Sequence, residues 1–459
     1  MLEFNHRLCK INKNYTSGET VKYLSLLSVQ KEKIAYLVSW LILLGALIYD
    51  IILLNGYAFD LPFWDVWDNL PQGNFNNVFN FFNENLQLFY NIISEIMYLC
   101  ADWNLRYFAF VNFAIYLCLI GAYVQIVVKS EIKISFWPLF FLPLLSPILG
   151  YNWLWSILVQ THTYILFFLF AVYFGFCANA SKSSFALFIC SLFLSILSMN
   201  LPLALGAVIA YIVKEMINIT PQIKQNTIKK CFFLLLLFAL FLTIIWFKKD
   251  SAAVKEVKLV NIFSWYYLSS LSFYVVEGVS LFSLTKIISP QYCPVLLLVM
   301  LVFLGVAFFE QYKNKKIQAL WAIIFSVMVN VCAVVALRHG EVYSYKVGFI
   351  RHHEVLFLLL PAILMVFFSS KFKIVKIYGV IVFCQMLYGY GITVKEKQFQ
   401  FFGELFYQNA CLCLNHYYNL KTTPDWACTM NYPIPVDSKI EYAKEHNLSF
   451  VDTITKCNK

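Results

Sequence analysis

Long apolar runs alternate with short polar or basic segments over most of this chain. An α-helix needs about 20 apolar residues to cross the hydrocarbon core of a bilayer. On that criterion, the pattern predicts an all-α polytopic membrane protein with about 11 transmembrane helices. The predicted spans are 34–55, 104–128, 134–150, 158–178, 184–200, 202–217, 231–247, 294–309, 317–337, 353–368 and 373–392.

Two further stretches are predicted to lie at the membrane surface. Residues 258–288 are apolar enough to cross, but counting them as a span would move the later lysine clusters to the outer side. They are therefore predicted to be interfacial or re-entrant, which suits their Trp and Tyr content. Residues 78–99 are predicted to form an amphipathic interfacial helix with Glu84, Gln87 and Asn91 on its polar face.

Basic residues determine the predicted orientation, because cytoplasmic loops carry an excess of Lys and Arg. Six of them precede the first span, so residues 1–33 are predicted to be a cytoplasmic N-terminal segment. A transmembrane domain follows over 34–392, and its first outer loop is 56–103. An odd number of spans then makes residues 393–459 an extracytoplasmic cap.

The predicted cap contains one helix and one disulfide. The stretch "SKIEYAKEHN" has the pattern of a short amphipathic helix. Cys411, Cys413 and Cys428 all lie in the cap, where disulfides persist, so one bridge to Cys428 is expected.

Composition narrows the class of protein. Of the 459 residues, 61% are hydrophobic and only 13% are charged, whereas soluble domains carry about a quarter charged residues. The formal net charge is +10, but the lysines lie in short clusters between apolar runs. Orientation in the bilayer explains these clusters, so nucleic acid is not a predicted partner.

The stretch "FDLPFWDVWDNL" in the first outer loop carries the first candidate chemistry. Asp65 and Asp68 are three residues apart, so one helical turn presents both to the same substrate. Burial among Trp64 and Trp67 would raise the proton affinity of such a carboxylate, which suits a general base. An aromatic belt with solvated acids accounts for the spacing equally well.

Glu84 continues the acidic side of the same loop, flanked by Asn83 and Asn85. At the surface of an interfacial helix, these residues would line a groove and orient a substrate. They would equally form the solvent-exposed face of an interfacial helix that binds no substrate.

The stretch "ALRHGEVYSYKVGFIRHHEVLF" concentrates positive charge in a predicted outer loop, where the orientation rule disfavours it. Arginine forks bind phosphate oxygens bidentately, and histidine adds a donor, so a phosphate site is predicted. The alternative is ordinary anionic lipid bound by snorkelling side chains. The candidate phosphate ligands are Arg338, His339, Lys346, Arg351 and His352.

Histidine elsewhere gives no predicted metal site. His352 and His353 are adjacent and lack metal-ligand spacing. His162, in "VQTHTY", is expected to be a hydrogen-bonded structural residue.

The sequence resembles the polytopic GT-C-type glycosyltransferases of bacterial envelopes, including the serotype-converting glucosyltransferases that decorate O-antigen. The similar stretches are "PFWDVWD", "FNENLQ" and "ADWN" in the first outer loop, and Arg338 with "IRHH" in the later one. The chain departs from the family at five positions: Phe82, Asn85 and Leu86 replace two histidines and an arginine, while Ile350 and His352 replace a serine and a tyrosine.

The resemblance implies an active site on the outer face of the inner membrane, with Asp65, Asp68 and Glu84 as catalytic candidates. It also implies transfer of a sugar, such as a hexose, from a polyprenyl-phosphate donor to a surface polysaccharide or a lipid-linked glycan. A flippase and a separate enzyme that synthesises the donor are then expected partners. Whether a divalent cation takes part is left open.

Two other functions compete with this one. An O-antigen polymerase shares the topology and also uses outer-loop arginines, but the early acidic loop favours a transferase. A flippase of lipid-linked sugars would need charged residues deep within the spans, and the sequence places almost none there.

Overall fold

A computed structural model describes residues 17–62, 64–75, 78, 81–82, 85–179, 181–197, 201–218, 230, 232–234, 239, 264–281, 283–284, 289–342, 354–420 and 436–453. The backbone alone is described for residues 17–28, 64–65, 81–82, 85–86, 337–342, 414–420 and 452–453.

The described chain is helical apart from one antiparallel pair of two-residue strands, β1 (Phe81–Phe82) and β2 (Asn85–Leu86). The α-helices are α1 Ser17–Tyr57, α2 Leu88–Ala101, α3 Leu105–Lys129, α4 Gly150–Leu154, α5 Val159–Val172, α6 Lys182–Leu197, α7 Leu201–Ile217, α8 Trp265–Val279, α9 Cys293–Gln311, α10 Gln318–Val342, α11 Glu354–Phe357, α12 Leu359–Ser369, α13 Lys373–Lys395, α14 Gln398–Leu420, α15 Asp437–Glu445 and α16 Phe450–Thr453.

Six helical stretches of the described chain are long and apolar enough to cross a membrane, which confirms a multi-pass membrane protein. They are Val29–Tyr57, Leu105–Lys129, Ser156–Cys177, Pro290–Gln311, Gln318–Ala336 and Lys373–Lys395. Each overlaps a predicted span. Helices α6 and α7 and the pair α11–α12 cover three more predicted spans but are shorter. Most of the predicted span 231–247 lies outside the described residues.

The prediction of a transmembrane α-helix over 134–150 is wrong, because most of this stretch is not α-helical. It forms 3₁₀ helices over Trp137–Leu145 and Pro147–Leu149. Proline lacks the amide donor that an α-helix requires, and three prolines fall in this stretch, at 138, 143 and 147. The segment is buried and packs against α1 and α12, with Trp137 edge-on to Trp40 and Phe140 stacked on Phe368.

The helix predicted to be interfacial, α2, begins at Leu88 and not at 78, so Gln87 precedes it, and Glu84 lies outside the described residues. The first amides of a helix need partners from outside the helix. Gln160 Oε1 supplies that partner, because it accepts hydrogen bonds from the backbone N–H of Phe89 at 2.9 Å and of Tyr90 at 3.1 Å. The helix therefore begins where α5 meets it.

The segment 258–288, predicted to be interfacial or re-entrant, contains α8. This helix has 15 residues and begins at the N-cap Ser264, whose Oγ accepts from the N–H of Tyr267 at 3.1 Å. It packs against α9 and α10, and Tyr267 Oη donates to the carbonyl oxygen of Cys332 at 2.9 Å.

Helices α7 and α10 approach each other closely at Gly206. A Cβ atom at this position would lie 2.4 Å from the Cα atom of Ser326. Only glycine permits such an approach, as is common between helices in membranes.

The C-terminal region packs against the first predicted outer loop. α15 confirms the predicted helix in "SKIEYAKEHN", whereas the 23-residue α14 was not predicted. Tyr442 Oη donates to the carbonyl oxygen of Pro71 at 2.8 Å, and Phe450 packs edge-on against Trp67 and Trp103. These contacts form a second hydrophobic core, separate from the core among the long helices.

Candidate functional site

The structure assigns different environments to the aspartates of the first outer loop. Asp60 is buried and accepts three hydrogen bonds: from the N–H of Leu105 at 2.8 Å, from Asn104 Nδ2 at 3.2 Å and from Ser449 Oγ at 2.7 Å. It therefore ties the start of α3 to the C-terminal region. Asp68 is partly exposed and forms an ion pair with Lys439 of α15.

The candidate base Asp65 lies in the same 3₁₀ helix as Asp68, Trp64–Asp68. A 3₁₀ helix has three residues per turn, so these two positions share a face, as predicted. The side chains of Asp65 and Trp64 lie outside the described residues. Asp68 already has a lysine partner, and the role of Asp65 as a base stays a prediction.

The other predicted residues of this loop contribute less to a site. Trp67 is only 1% exposed and packs against Phe450, so it is a core residue. Asn85 pairs with Phe82 in the strand ladder, and its side chain is not described. Asn83 and Glu84 lie outside the described residues.

The basic loop is described only at its two ends. Arg338 and His339 lie in α10, and only their backbone is described. This helix extends to Val342, beyond the predicted span 317–337. Lys346, Arg351 and His352 lie outside the described residues. The described residues begin again at Glu354, three residues after Arg351.

Glu354 and His162 of α5 form a buried acid–imidazole pair. His162 Nε2 lies 2.7 Å from Glu354 Oε1, and the two side chains are 0% and 1% exposed. Glu354 Oε2 also accepts a hydrogen bond from Asn152 Nδ2 at 3.2 Å. Sequence analysis predicted that His162 would be hydrogen-bonded, which is confirmed, but missed Glu354 because it directly follows the basic loop.

Asn112 determines which nitrogen of His162 carries a proton. Its Nδ2 donates to the carbonyl oxygens of Asn152, Trp153 and Trp155 at 2.9, 3.2 and 3.4 Å. This leaves Asn112 Oδ1 to accept from the Nδ1–H of His162, with which it is in contact. The two ring nitrogens of His162 therefore face Asn112 Oδ1 on one side and Glu354 Oε1 on the other.

Tyr116 and Asp50 extend this polar centre into the bundle. The ring of Tyr116 lies 4.9 Å from the ring of His162, and its hydroxyl interacts electrostatically with Glu354 and Asp50. Asp50 is fully buried, and neither of its carboxylate oxygens has a hydrogen-bond partner among the residues that the structure describes. Sequence analysis missed it, because a single acid in a long apolar helix leaves the hydropathy pattern unchanged.

One turn of α5 joins the two loops that carry the candidate chemistry. Gln160 holds the start of α2 in the first loop, and His162 holds Glu354 at the end of the basic loop. The acidic and basic loops are therefore both attached to α5, through side chains that lie two residues apart on this helix.

Two further searches, for a metal site among the described residues and for related proteins, gave no result. The described part of the chain contains no group of three His, Cys, Asp or Glu side chains that could hold a metal ion. Comparison with protein-family models, with curated proteins and with solved structures gives no match.

Proposed function

We propose that this chain is an integral membrane glycosyltransferase of the GT-C type. It transfers a sugar, a hexose in the simplest case, from a polyprenyl-phosphate donor to a surface polysaccharide or a lipid-linked glycan. The reaction takes place at the extracytoplasmic face of a bacterial inner membrane. The acidic first loop supplies the base, and the basic loop binds the donor phosphate.

The attachment of both loops to one turn of α5 carries this proposal. Gln160 and His162 hold the first loop and the end of the basic loop to adjacent positions on one helix. A base and a phosphate clamp must both reach the reacting sugar, so the reaction requires these two loops to be neighbours.

The residues then take the following roles. The acceptor hydroxyl loses its proton to Asp65 as its oxygen attacks the anomeric carbon of the donor sugar. The bond between that carbon and the phosphate oxygen breaks, and polyprenyl phosphate leaves with the bonding electrons. Arg338 and Arg351, with His352, stabilise the negative charge on the leaving phosphate.

His162 and Glu354 act as positioning residues for the basic loop. Their pairing holds the first residue of α11, and Arg351 lies only three residues before it. A buried pair with further hydrogen bonds to Asn112 and Asn152 has one preferred geometry, so the end of the loop is held in place.

The disulfides support the proposed sidedness. Cys411 and Cys413, both in α14, are disulfide-bonded. Disulfides persist outside the reducing cytosol, which agrees with an extracytoplasmic C-terminal region. Cys428, the predicted bridge partner, lies outside the described residues.

A flippase of lipid-linked sugars is the second candidate, and Asp50 is the observation that favours it. The near absence of charged residues from the predicted spans argues against transport. The structure places Asp50, His162 and Glu354 inside the helical bundle, and buried ionisable residues of this kind are typical of proton-coupled transporters.

One experiment separates these candidates. Purified protein in liposomes receives a polyprenyl-phosphate hexose and a glycan acceptor, and mass spectrometry follows the acceptor. A transferase adds one hexose mass to the acceptor, whereas a flippase moves the donor between leaflets without changing that mass. An unchanged acceptor would contradict the proposed function.

A further inference from the structure

A large apolar groove lies between α7, α9 and α10, away from the candidate site. Its volume is about 480 Å³, within the range of about 300–1,000 Å³ that is usual for small-molecule sites. Most of its wall is hydrocarbon, from side chains that include Ala210, Val213, Leu301, Leu304, Phe325 and Met328.

Nitrogen donors interrupt this apolar lining at Lys214, Gln318 and Trp321, and the first and last of these carry the argument. Lys214 Nζ lies 5.1 Å from the ring centre of Phe176 and 5.3 Å from that of Tyr211. It donates to the carbonyl oxygen of Gly175 at 2.5 Å. Gly175 belongs to the π-helix Tyr173–Cys177, a rare element that often occurs at functional sites.

The other donor is the indole nitrogen of Trp321. It is buried and has no hydrogen-bond partner among the residues that the structure describes. The indole ring packs edge-on against Phe308, with the ring centres 5.2 Å apart. A buried donor without a partner costs free energy, so this N–H indicates an acceptor atom supplied by a ligand.

Further lysines make the neighbourhood of the groove positive. Lys214 interacts electrostatically with Lys230 and Lys315, and also with the neighbouring acid Glu215. Lys315 lies in the exposed turn between α9 and α10, directly beside the groove-lining residues Tyr312 and Gln318. The groove therefore combines a hydrocarbon interior with a cationic rim.

We propose that this groove binds an anionic phospholipid of the bilayer leaflet that faces these lysines. One acyl chain occupies the apolar interior, and the phosphate accepts from Lys214. An oxygen of the phosphate or the adjacent ester accepts from the indole N–H of Trp321. Charge complementarity selects an anionic headgroup, and the continuous apolar wall selects a hydrocarbon tail.

The test measures lipid binding by native mass spectrometry of the full chain purified in a mild detergent. Dioleoyl phosphatidylglycerol and dioleoyl phosphatidylcholine are added separately, so that only the headgroup differs. We expect one phosphatidylglycerol to be retained per chain, with about tenfold higher affinity than phosphatidylcholine.

Three variants test the contacts, each with a matched control. Lys214→Met is expected to lose that tenfold preference, and the control is Lys376→Met at an exposed lysine of α13. Trp321→Phe keeps the aromatic packing and is expected to weaken binding severalfold, whereas Trp265→Phe, at a side chain 69% exposed, leaves it unchanged.

The third variant fills the groove. A Cβ atom at Gly305, which lines the groove, would meet nothing within 4 Å, so Gly305→Leu is accommodated and is expected to abolish binding. Gly121 in α3 has equally open space, so Gly121→Leu is the control.

Several results would overturn the proposal: equal retention of the two lipids by the wild type, full binding by Lys214→Met, or no difference between Gly305→Leu and Gly121→Leu. Recovery of polyprenyl phosphate from native membranes, in place of a phospholipid, would also overturn it. None of these measurements depends on sugar transfer.

Discussion

His162 and Glu354 face each other at 2.7 Å in the interior of the bundle, on elements far apart in the chain. Removing one member of a buried ion pair leaves an uncompensated polar group and costs about 3–5 kcal/mol. Replacing both residues with apolar ones leaves no uncompensated polar group in the interior. The pair therefore has to be tested by changing its members separately and together.

We expect His162→Leu and Glu354→Leu each to lower the free energy of unfolding by about 3–5 kcal/mol, and the double variant to lose less than their sum. Thermal unfolding in detergent measures this coupling. The partly exposed pair Asp68 and Lys439 is the control, with an expected coupling below about 1 kcal/mol. Additive losses at His162 and Glu354 would contradict the pairing.

In the transferase assay, Glu354→Gln is expected to raise the KM for the donor more than it lowers kcat. This follows because Glu354 positions the phosphate-binding loop and does not contact the reacting atoms. A pure loss of kcat would indicate a direct chemical role for Glu354.

Asp65→Asn is expected to lower kcat by about 10²–10⁴-fold, as loss of a general base does, while donor binding is retained. The control is Glu131→Gln, at an exposed turn outside both candidate loops. Wild-type kcat in Asp65→Asn would remove Asp65 from the mechanism.

Asp60→Ala is expected to loosen the C-terminal region, because Asp60 accepts hydrogen bonds from both α3 and Ser449. The buried N–H of Leu105 would lose its partner, at a cost of about 1–3 kcal/mol. Asp68→Ala should cost less than about 1 kcal/mol. Limited proteolysis of residues 436–453 compares the two variants, and equal cleavage rates would contradict the assigned role of Asp60.

The proposed sidedness predicts the labelling of introduced cysteines by a membrane-impermeant maleimide. Asn74→Cys, at an exposed position of the first loop, should be labelled fully in intact spheroplasts, whose outer membrane has been removed. Lys315→Cys, in the turn between α9 and α10, should be labelled only after permeabilisation. The reverse pattern would place the candidate site in the cytoplasm.

The contact between Tyr442 and the first loop should weaken in alkali. Burial raises the pKa of Tyr442, and Glu95 and Tyr98 raise it further. The folded protein thus favours the neutral phenol, so this contribution is present below the unfolded pKa of about 10 and is lost as pH rises through the higher folded pKa.

We therefore expect protease sensitivity of residues 436–453 to rise above about pH 10 in the wild type. Tyr442→Phe should lack that alkaline step and lose about 1 kcal/mol at neutral pH, because the bond to Pro71 is absent. An alkaline step of the same size in Tyr442→Phe would assign the step to another group.

Hydropathy predicted the elements that are continuously apolar over the length of a membrane span. The six long helices coincide with predicted spans, and α15 has the amphipathic pattern from which it was predicted. Hydropathy failed where the environment is protein. α14 contains Gln, Glu and Asn and yet buries Phe402 and Phe406 against other helices, and the prolines of 134–150 are accommodated in a buried 3₁₀ segment.

The same limit applies to the candidate site. The loop residues Asp65 and Arg351 could be proposed because charges outside the spans stand out in the sequence. Asp50 and Glu354 could not be proposed from the sequence, since each is a single acid within or at the edge of a long apolar run. Only the packing reveals that they share an interior with His162 and Tyr116.

The near-contact of Gly206 with Ser326 has a mechanical consequence for the groove described above. Two helices that touch backbone to backbone have no side chain between them that can repack, so α7 and α10 form one stiff wall. α9 forms the opposite wall, and only 28% of its membrane-spanning stretch is buried. A lipid in the groove is therefore expected to displace α9 more readily than α7 or α10.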